Sequence, residues 1–250
     1  MELKQHNISM QSITLNKHIA QAGVCSRRKA ALLVQEGWVR VNGIIIKDPG
    51  FRVTSNDIVA YQKRALVAEK PIYIVLNKPR RIITTCADEQ GRATVLDLLP
   101  ESLQSSGLFP IGRLDKETTG LLLLTNDGAL AQHMAHPRYK VQKIYQVTLD
   151  RPVPEEVMQY IRRGIRLEDG MIRVDTIEYA YQDDASYVRI GLHSGKNQII
   201  KRIFKKFNFW VKKLERISYA GLSTKGLASG EWRHLTKYEV SALKKIRNTM

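Results

Sequence analysis

Two kinds of pattern share this chain. From Thr14 to Val34 the apolar residues recur at helical spacing, and from Val39 onward they come mostly in short runs that suit strands. Leu15, Ile19 and Ala22 fall at i, i+4 and i+7, one face of a short helix that Gly23 closes. Ser26 caps a second helix with Ala30, Leu33 and Val34 inward and Gly37 as its stop. Residues 39–41, the pair Asn42-Gly43 and residues 44–46 read as a hairpin, and residues 51–53 and 58–61 as further strands. Residues 1–13 show no pattern and read as a frayed leader.

The block that orders the rest is Leu121, Leu122, Leu123 and Leu124, set between a charged turn that starts at Gly112 and a second turn, Asn126-Asp127-Gly128. Four leucines suit a short strand buried on both faces, although periodicity alone also allows a buried helical turn. Gly120 lets the chain bend where a Cβ would obstruct. Before this block, residues 62–70 form a charged connector ended by Pro71, residues 72–76 an apolar strand and residues 80–93 a polar loop. Thr94 is placed to cap a short helix over 95–99 that Pro100 stops.

After the block come a helix over 129–135, a half-buried strand over 143–149, a helix over 154–161 and strands over 172–180 and 187–193. A loop, Ser194-Gly195-Lys196-Asn197, then enters a helix that buries Ile199, Ile200, Ile203, Phe204 and Phe207. A strand over 210–214, a loop over 221–230 and a terminal helix from Lys237 complete the chain. Many strands with few helices between them predict an α+β fold with a mainly antiparallel sheet. The expected domains are 14–61, a linker 62–70, a larger domain 71–236, and a C-terminal helix or tail over 237–250.

Composition narrows the function classes. A chain of 250 residues with 43% hydrophobic and 26% charged residues is of the soluble globular kind. No apolar run approaches the roughly 18 residues a bilayer span needs, and the N-terminus has no apolar signal core, so a cytoplasmic protein without a membrane partner is expected. The two cysteines, Cys25 and Cys86, lack metal-ligand spacing and read as reduced thiols. There is no Gly-rich phosphate loop, no paired Cys/His ligand set and no dinucleotide fingerprint, which argues against a metal or a cofactor.

Charge points to a partner. The net charge of +16 predicts a polyanion, nucleic acid ahead of membrane. Residues 195–216 hold eight Lys or Arg against one Glu, and residues 1–65 hold ten against four acidic residues. Arg27, Arg28 and Lys29 form the first turn of the second helix, where cations oppose the helix dipole. Beside the free N–H groups they suit a phosphate. Arg80 and Arg81 lie in the polar loop, and Arg113 beside Asp115 is placed for a phosphate.

The candidate for chemistry is Asp115, a carboxylate on a tight turn held next to a core strand. Its segment, Gly112-Arg113-Leu114-Asp115-Lys116-Glu117-Thr118-Thr119-Gly120-Leu121-Leu122-Leu123-Leu124-Thr125-Asn126-Asp127-Gly128, closely resembles the catalytic motif of the RsuA/RluB group of pseudouridine synthases. Leu15, Lys17, Gly23, Ser26, Arg27, Arg28, Gly37, Val39, Val41, Asn42 and Gly43 likewise resemble the S-four RNA-binding domain. The resemblance covers residues 14 to about 236 and implies a small RNA-binding domain of two helices and a sheet, followed by a mixed-sheet pseudouridine synthase domain.

The resemblance further implies isomerisation of a uridine to pseudouridine in RNA, without metal or cofactor. Asp115 is then the essential carboxylate, whether it adds to the sugar, adds to the base or removes a sugar proton. Tyr145 matches the tyrosine that lies against the target base, and Lys201 the basic residue that pairs with the aspartate. Lys196 and Arg202 join Arg27, Arg28, Lys29, Arg80, Arg81 and Arg113 as RNA-binding candidates. Members often carry Gln where this chain has Ile199, and Arg or His where it has Gln198.

Residues 91–95, 164–170 and 225–227 look more like the large-subunit enzymes, which implies 23S ribosomal RNA, free or in a pre-ribosomal particle, and a monomeric enzyme. The alternatives are a 16S enzyme and a non-catalytic ribosome-assembly factor. A basic DNA-binding protein is disfavoured by the lack of a groove-reading motif.

Overall fold

The structure is a computed structural model that describes residues 12–67 and 69–248. The chain divides into two units: residues up to Pro71 together with Glu101–Gly107, and Ile72–Pro100 together with Leu108 onward.

The N-terminal unit runs β1 (Ile13–Thr14), α1 (Leu15–Gln21), α2 (Arg27–Gln35), β2 (Val39–Val41), β3 (Ile44–Ile45), β4 (Arg52–Val53), β5 (Val59–Tyr61) and β6 (Arg64–Ala65). Ser26 caps α2 as expected, accepting from the Lys29 amide at 3.3 Å. Leu15, Ile19, Ala30 and Val34 bury one face of the helix pair with Val39, Val41 and Val59. Strands pair in the order β3-β2-β5-β6, and β1 pairs β4 apart from them.

The charged connector begins later than the sequence suggests. Gln62 and Lys63 both take positive φ, 49° and 64°, so β6 folds back on β5. Two left-handed residues make a tight hairpin turn, and such turns ordinarily announce themselves by Asn or Gly. Here neither is present. The leader reading of residues 1–11 lies outside the described residues; Ile13 is in a strand.

In the C-terminal unit the order is β7 (Tyr73–Lys78), β8 (Phe109–Pro110), β9 (Thr119–Thr125), α4 (Gly128–Ala135), β10 (Lys143–Leu149), α5 (Glu155–Arg163), β11 (Ile165–Leu167), β12 (Gly170–Ile172), β13 (Thr176–Tyr179), β14 (Tyr187–Leu192), α6 (Ile199–Lys205), β15 (Val211–Tyr219), β16 (Leu222–Ser223), β17 (Trp232–His234) and α7 (Lys237–Asn248). Among the described residues the main sheet runs β13-β14-β10-β15-β9-β7-β17, with β16 beside β15 and β8 beside β9. Its pairs are antiparallel except β15 with β9, so the sheet is mixed and mainly antiparallel.

The leucine block is β9, buried on both faces near the middle of this sheet. The helical alternative is thereby removed: β7, β8 and β15 all pair with it, and flanking strands satisfy its backbone. Gly120 is forced by its neighbour. At φ 96° it faces Arg216 across the parallel pair, and a Cβ there would stand 2.4 Å from the Arg216 carbonyl oxygen.

Three local expectations are corrected. Residues 95–99 are turns, not a helix, because Thr94 is extended in a bridge to Ile83 and its amide is taken by Asp97 at 2.7 Å. A single short helix, α3 (Glu101–Gln104), follows Pro100. The segment it opens groups with the N-terminal unit rather than with 71–236; Gly107 passes so close to Gly23 that a Cβ would lie 3.5 Å from its Cα. The strand expected over 172–180 is split, Ile172 closing the β11–β12 hairpin while the main sheet resumes at Thr176. The terminal helix expected from Lys237 is present, and Leu243 on it is buried with Leu130 and Met134.

Candidate active site

Asp115 opens a turn in which the Thr118 amide donates to the Asp115 carbonyl at 3.0 Å. Three points of the unit hold this turn. Lys78, fully buried at the end of β7, donates from Nζ to the carbonyls of Thr118 at 2.9 Å, Pro79 at 3.0 Å and Lys116 at 3.3 Å. The Arg81 amide donates to Lys116 O at 2.9 Å, and Thr84 Oγ1 donates to Leu114 O at 2.8 Å. Burial pulls the Lys78 ammonium down to about 8, so it is charged at neutral pH. A short polar turn thus acquires a fixed position from a buried ammonium and the edge of the sheet.

The carboxylate faces a cation. Asp115 Oδ2 accepts from Lys201 Nζ at 3.0 Å, the two side chains being 39% and 32% exposed. Lys201 stands on the first turn of α6, where Ile199, Ile200, Ile203 and Phe204 are buried and fix the helix rotation. Asp115 lies on a cavity of about 310 Å3, also lined by Tyr145, Ile199, Leu214 and Tyr219. That volume is at the small end of the range for ligand pockets.

The structure brings Asp115 and Tyr145 to this one cavity, with Arg113 and Lys196 also on its wall; Lys201 does not line it and joins the site through its ion pair with Asp115. Tyr145 arrives on β10, paired with Arg216 of β15. Lys196 Nζ donates to Asp169 O at 2.7 Å. The remaining RNA-binding candidates are elsewhere. Arg202 forms an ion pair with Asp169 and holds that carboxyl down at about 2. Arg80 pairs with Glu117 at 2.8 Å on a second hollow of about 230 Å3. Arg81 is exposed, with φ 67°. Arg27, Arg28 and Lys29 are exposed on α2 of the N-terminal unit.

Sequence reading missed Lys78, Lys143 and Arg216. Arg216 is 2% exposed, and its Nε donates to Leu121 O at 2.7 Å. Lys143 opens β10, and burial with the Arg216 charge beside it draws its ammonium to about 8. Tyr219 donates to Met134 O, and burial raises its phenol to about 12. One signal was available: Arg216 is in phase with Leu214, two residues before it, where a half-buried strand would carry another apolar side chain. Ile199, in the position where Gln is common, supplies an apolar wall.

With this geometry in hand, comparisons give a consistent picture. Residues 72–206 match the family described as RNA pseudouridylate synthase, and residues 14–59 match the S4 domain. The chain is 38% identical over 235 residues to ribosomal large subunit pseudouridine synthase B of Bacillus subtilis, covering 93% of this chain and 96% of that protein. It is 36% identical over 237 residues to an uncharacterized RNA pseudouridine synthase of Aquifex aeolicus, covering 94% of each. A crystal structure of a pseudouridylate synthase superposes with a TM-score of 0.66 at 28% identity, covering 92% of this chain and 99% of that one.

Proposed function

The chain belongs to the RNA pseudouridylate synthase family, in its RsuA/RluB group, and from that premise we propose that it isomerises one uridine of ribosomal RNA, in the 23S molecule, with Asp115 as the catalytic carboxylate. The observation that carries this reading is Asp115, ion-paired to Lys201, on the wall of a cavity of about 310 Å3. A stacked uridine cannot reach that carboxylate. The nucleotide is taken from a loop or flipped out, at a cost of a few kcal/mol. Phosphate contacts from the exposed cations of α2 and from Arg113 and Lys196 at the cavity offset that cost.

Tyr145 lies along the cavity wall and is placed to stack on the base. Lys201 holds Asp115 by a hydrogen-bonded ion pair and so aims its carboxylate. The enzyme acts as a cytoplasmic monomer on RNA, free or in a pre-ribosomal particle, with no metal or cofactor in the reaction. In support of the large-subunit target stands the B. subtilis relative, whose name assigns it that subunit.

The test is a pseudouridine map of 23S and 16S RNA from cells with the protein, without it, and with Asp115→Asn in its place. One 23S pseudouridine should vanish in the second and third strains. A missing 16S site would move the target to the small subunit, and three identical maps would refute the reading.

A further inference from the structure

Arg216 lines the cavity while being almost wholly buried. Its Nε is tied to Leu121 O, and its guanidinium carbon stands 4.8 Å from the Tyr219 ring centroid. Its Nη2 is out of water and has no hydrogen-bond partner among the described residues. Lys143 is beside it, held by the backbone carbonyls of His193 at 3.2 Å and Val141 at 3.3 Å. Among the described residues no carboxylate is within ion-pair distance of either cation. Asp115 is matched by Lys201, and Asp175 by His193 Nδ1 at 2.7 Å.

A guanidinium out of water with an unused donor is destabilising, and a packed apolar side chain would serve the fold better. Such a group is retained where a ligand brings the acceptor. The cavity walls restrict that ligand. Leu114, Ile199, Leu214 and Tyr145 present apolar or aromatic surface, which suits the faces of a flat ring and not a hydrated phosphate. Uracil is such a ring, with carbonyl oxygens O2 and O4 on its edge.

The reaction adds a reason for charge. When the N1–C1′ bond breaks, its electron pair stays with the base, and negative charge spreads over N1, O2 and O4. C5 then bonds to C1′ and gives up its proton, while N1 gains one, so atoms and electrons balance without an added reactant. Donors aimed at where charge develops are the strongest catalytic devices a site has.

Resting on the pseudouridine synthase reading, we propose that Arg216, with Lys143, donates to the uracil carbonyl oxygens and holds the detached base as an anion while it turns from N1 to C5. The two cations are base-binding groups of the reaction, distinct from the Asp115–Lys201 pair.

The experiment uses full-length enzyme in excess over 23S RNA transcribed in vitro, with single-turnover rates and filter-binding affinities for wild type, Arg216→Ala and Lys143→Gln. Arg216→Ala should lower the rate by about 10²–10³-fold. Its RNA affinity and the salt slope of binding should stay as in wild type. Guanidinium ion at millimolar concentration should restore much of the rate, and urea, which is neutral, should not. A rate within about threefold of wild type would overturn the proposal. So would a loss confined to affinity with a salt slope lower by about one, the mark of a phosphate contact. A rate loss that guanidinium leaves untouched, with a lowered melting temperature, would reduce Arg216 to a packing role.

Should Arg216→Ala not fold, Lys143→Gln decides, because it leaves the Arg216–Leu121 bond in place. A rate loss of about tenfold at constant affinity supports the assignment, and an unchanged rate removes it. If wild type itself forms pseudouridine in neither 23S nor 16S RNA, the functional reading has failed and takes this one with it.

Discussion

Arg28 and Arg216 are the same side chain under opposite conditions. Arg28 stands exposed on the first turn of α2 in the N-terminal unit, with Arg27 and Lys29 beside it. Arg216 is buried on β15 of the C-terminal unit, tied through one nitrogen to the leucine strand. Exposed cations meet phosphates through solvent, so they give affinity that salt erodes and no chemistry. A sequestered cation acts at low dielectric on whatever enters its cavity. The difference extends to the apolar side chains. The small unit leaves Trp38, Ile44 and Ile58 in water, whereas the larger one encloses an unbroken run from Leu121 to Leu124. Its buried strands give the C-terminal unit the stiffness to hold charges apart from solvent, and the N-terminal unit has no such demand.

The strongest way to break this contrast is to remove the charge that pairs with Asp115. Lys201→Met should cut the single-turnover rate by about 10²–10³-fold at constant RNA affinity, because Asp115 loses the cation that holds and aims it. A comparable loss of affinity would show that inner and outer cations do the same work.

Next in size is the backbone beneath the site. Gly120→Ala places a Cβ 2.4 Å from Arg216 O at a positive φ. Strain and overpacking together should lower unfolding stability by about 3 kcal/mol or more, read from urea melts. A neutral result would mean that β9 and β15 separate easily.

Replacing Arg27, Arg28 and Lys29 together by Gln tests the outer cations. RNA affinity should fall about tenfold at physiological salt, with the salt slope reduced by about two and the single-turnover rate unchanged at saturating enzyme. A lower rate at saturation would place α2 in the chemistry.

A titration sharpens the same line. Lys143 has its pKa lowered to about 8, first by burial and then by Arg216. Below that pH it is an ammonium, and above it a neutral amine, so activity should decline as pH rises through about 8. Lys143→Arg, which stays protonated, should move that limb to higher pH, and an unmoved limb would assign it to another group. Arg80→Gln should matter least. Its ion pair with Glu117 is exposed on both sides, and stability should change by less than about 1 kcal/mol in a thermal melt.

Much of this was legible from residue order alone. The two helices of the N-terminal unit, the hairpin at Asn42-Gly43 and the buried strand at Leu121 to Leu124 follow from local periodicity and turn chemistry, which a linear sequence carries in full. Asp115, Tyr145 and Lys201 were named from motif resemblance; the fold brings the first two to one cavity and pairs Lys201 with Asp115. The helix expected over 95–99 failed because a bridge to Ile83 and the Asp97 carboxylate overrode the local signal. The β5–β6 hairpin went unseen because Gln62 and Lys63 adopt a turn that their side chains do not advertise.

The chain by itself determined that a basic, strand-rich protein holds a carboxylate on a stiff turn, since charge count, period and turn residues are properties of neighbours in sequence. Only the tertiary structure decided which lysines and arginines are free to meet RNA and which face the cavity. Arg202 is spent on Asp169, Lys78 ties down the turn of Asp115, and Arg216 reaches the site from a strand about 100 residues away. The physical reason is that a cation's role is set by the acceptors and solvent around it, and those are brought by distant segments through sheet pairing.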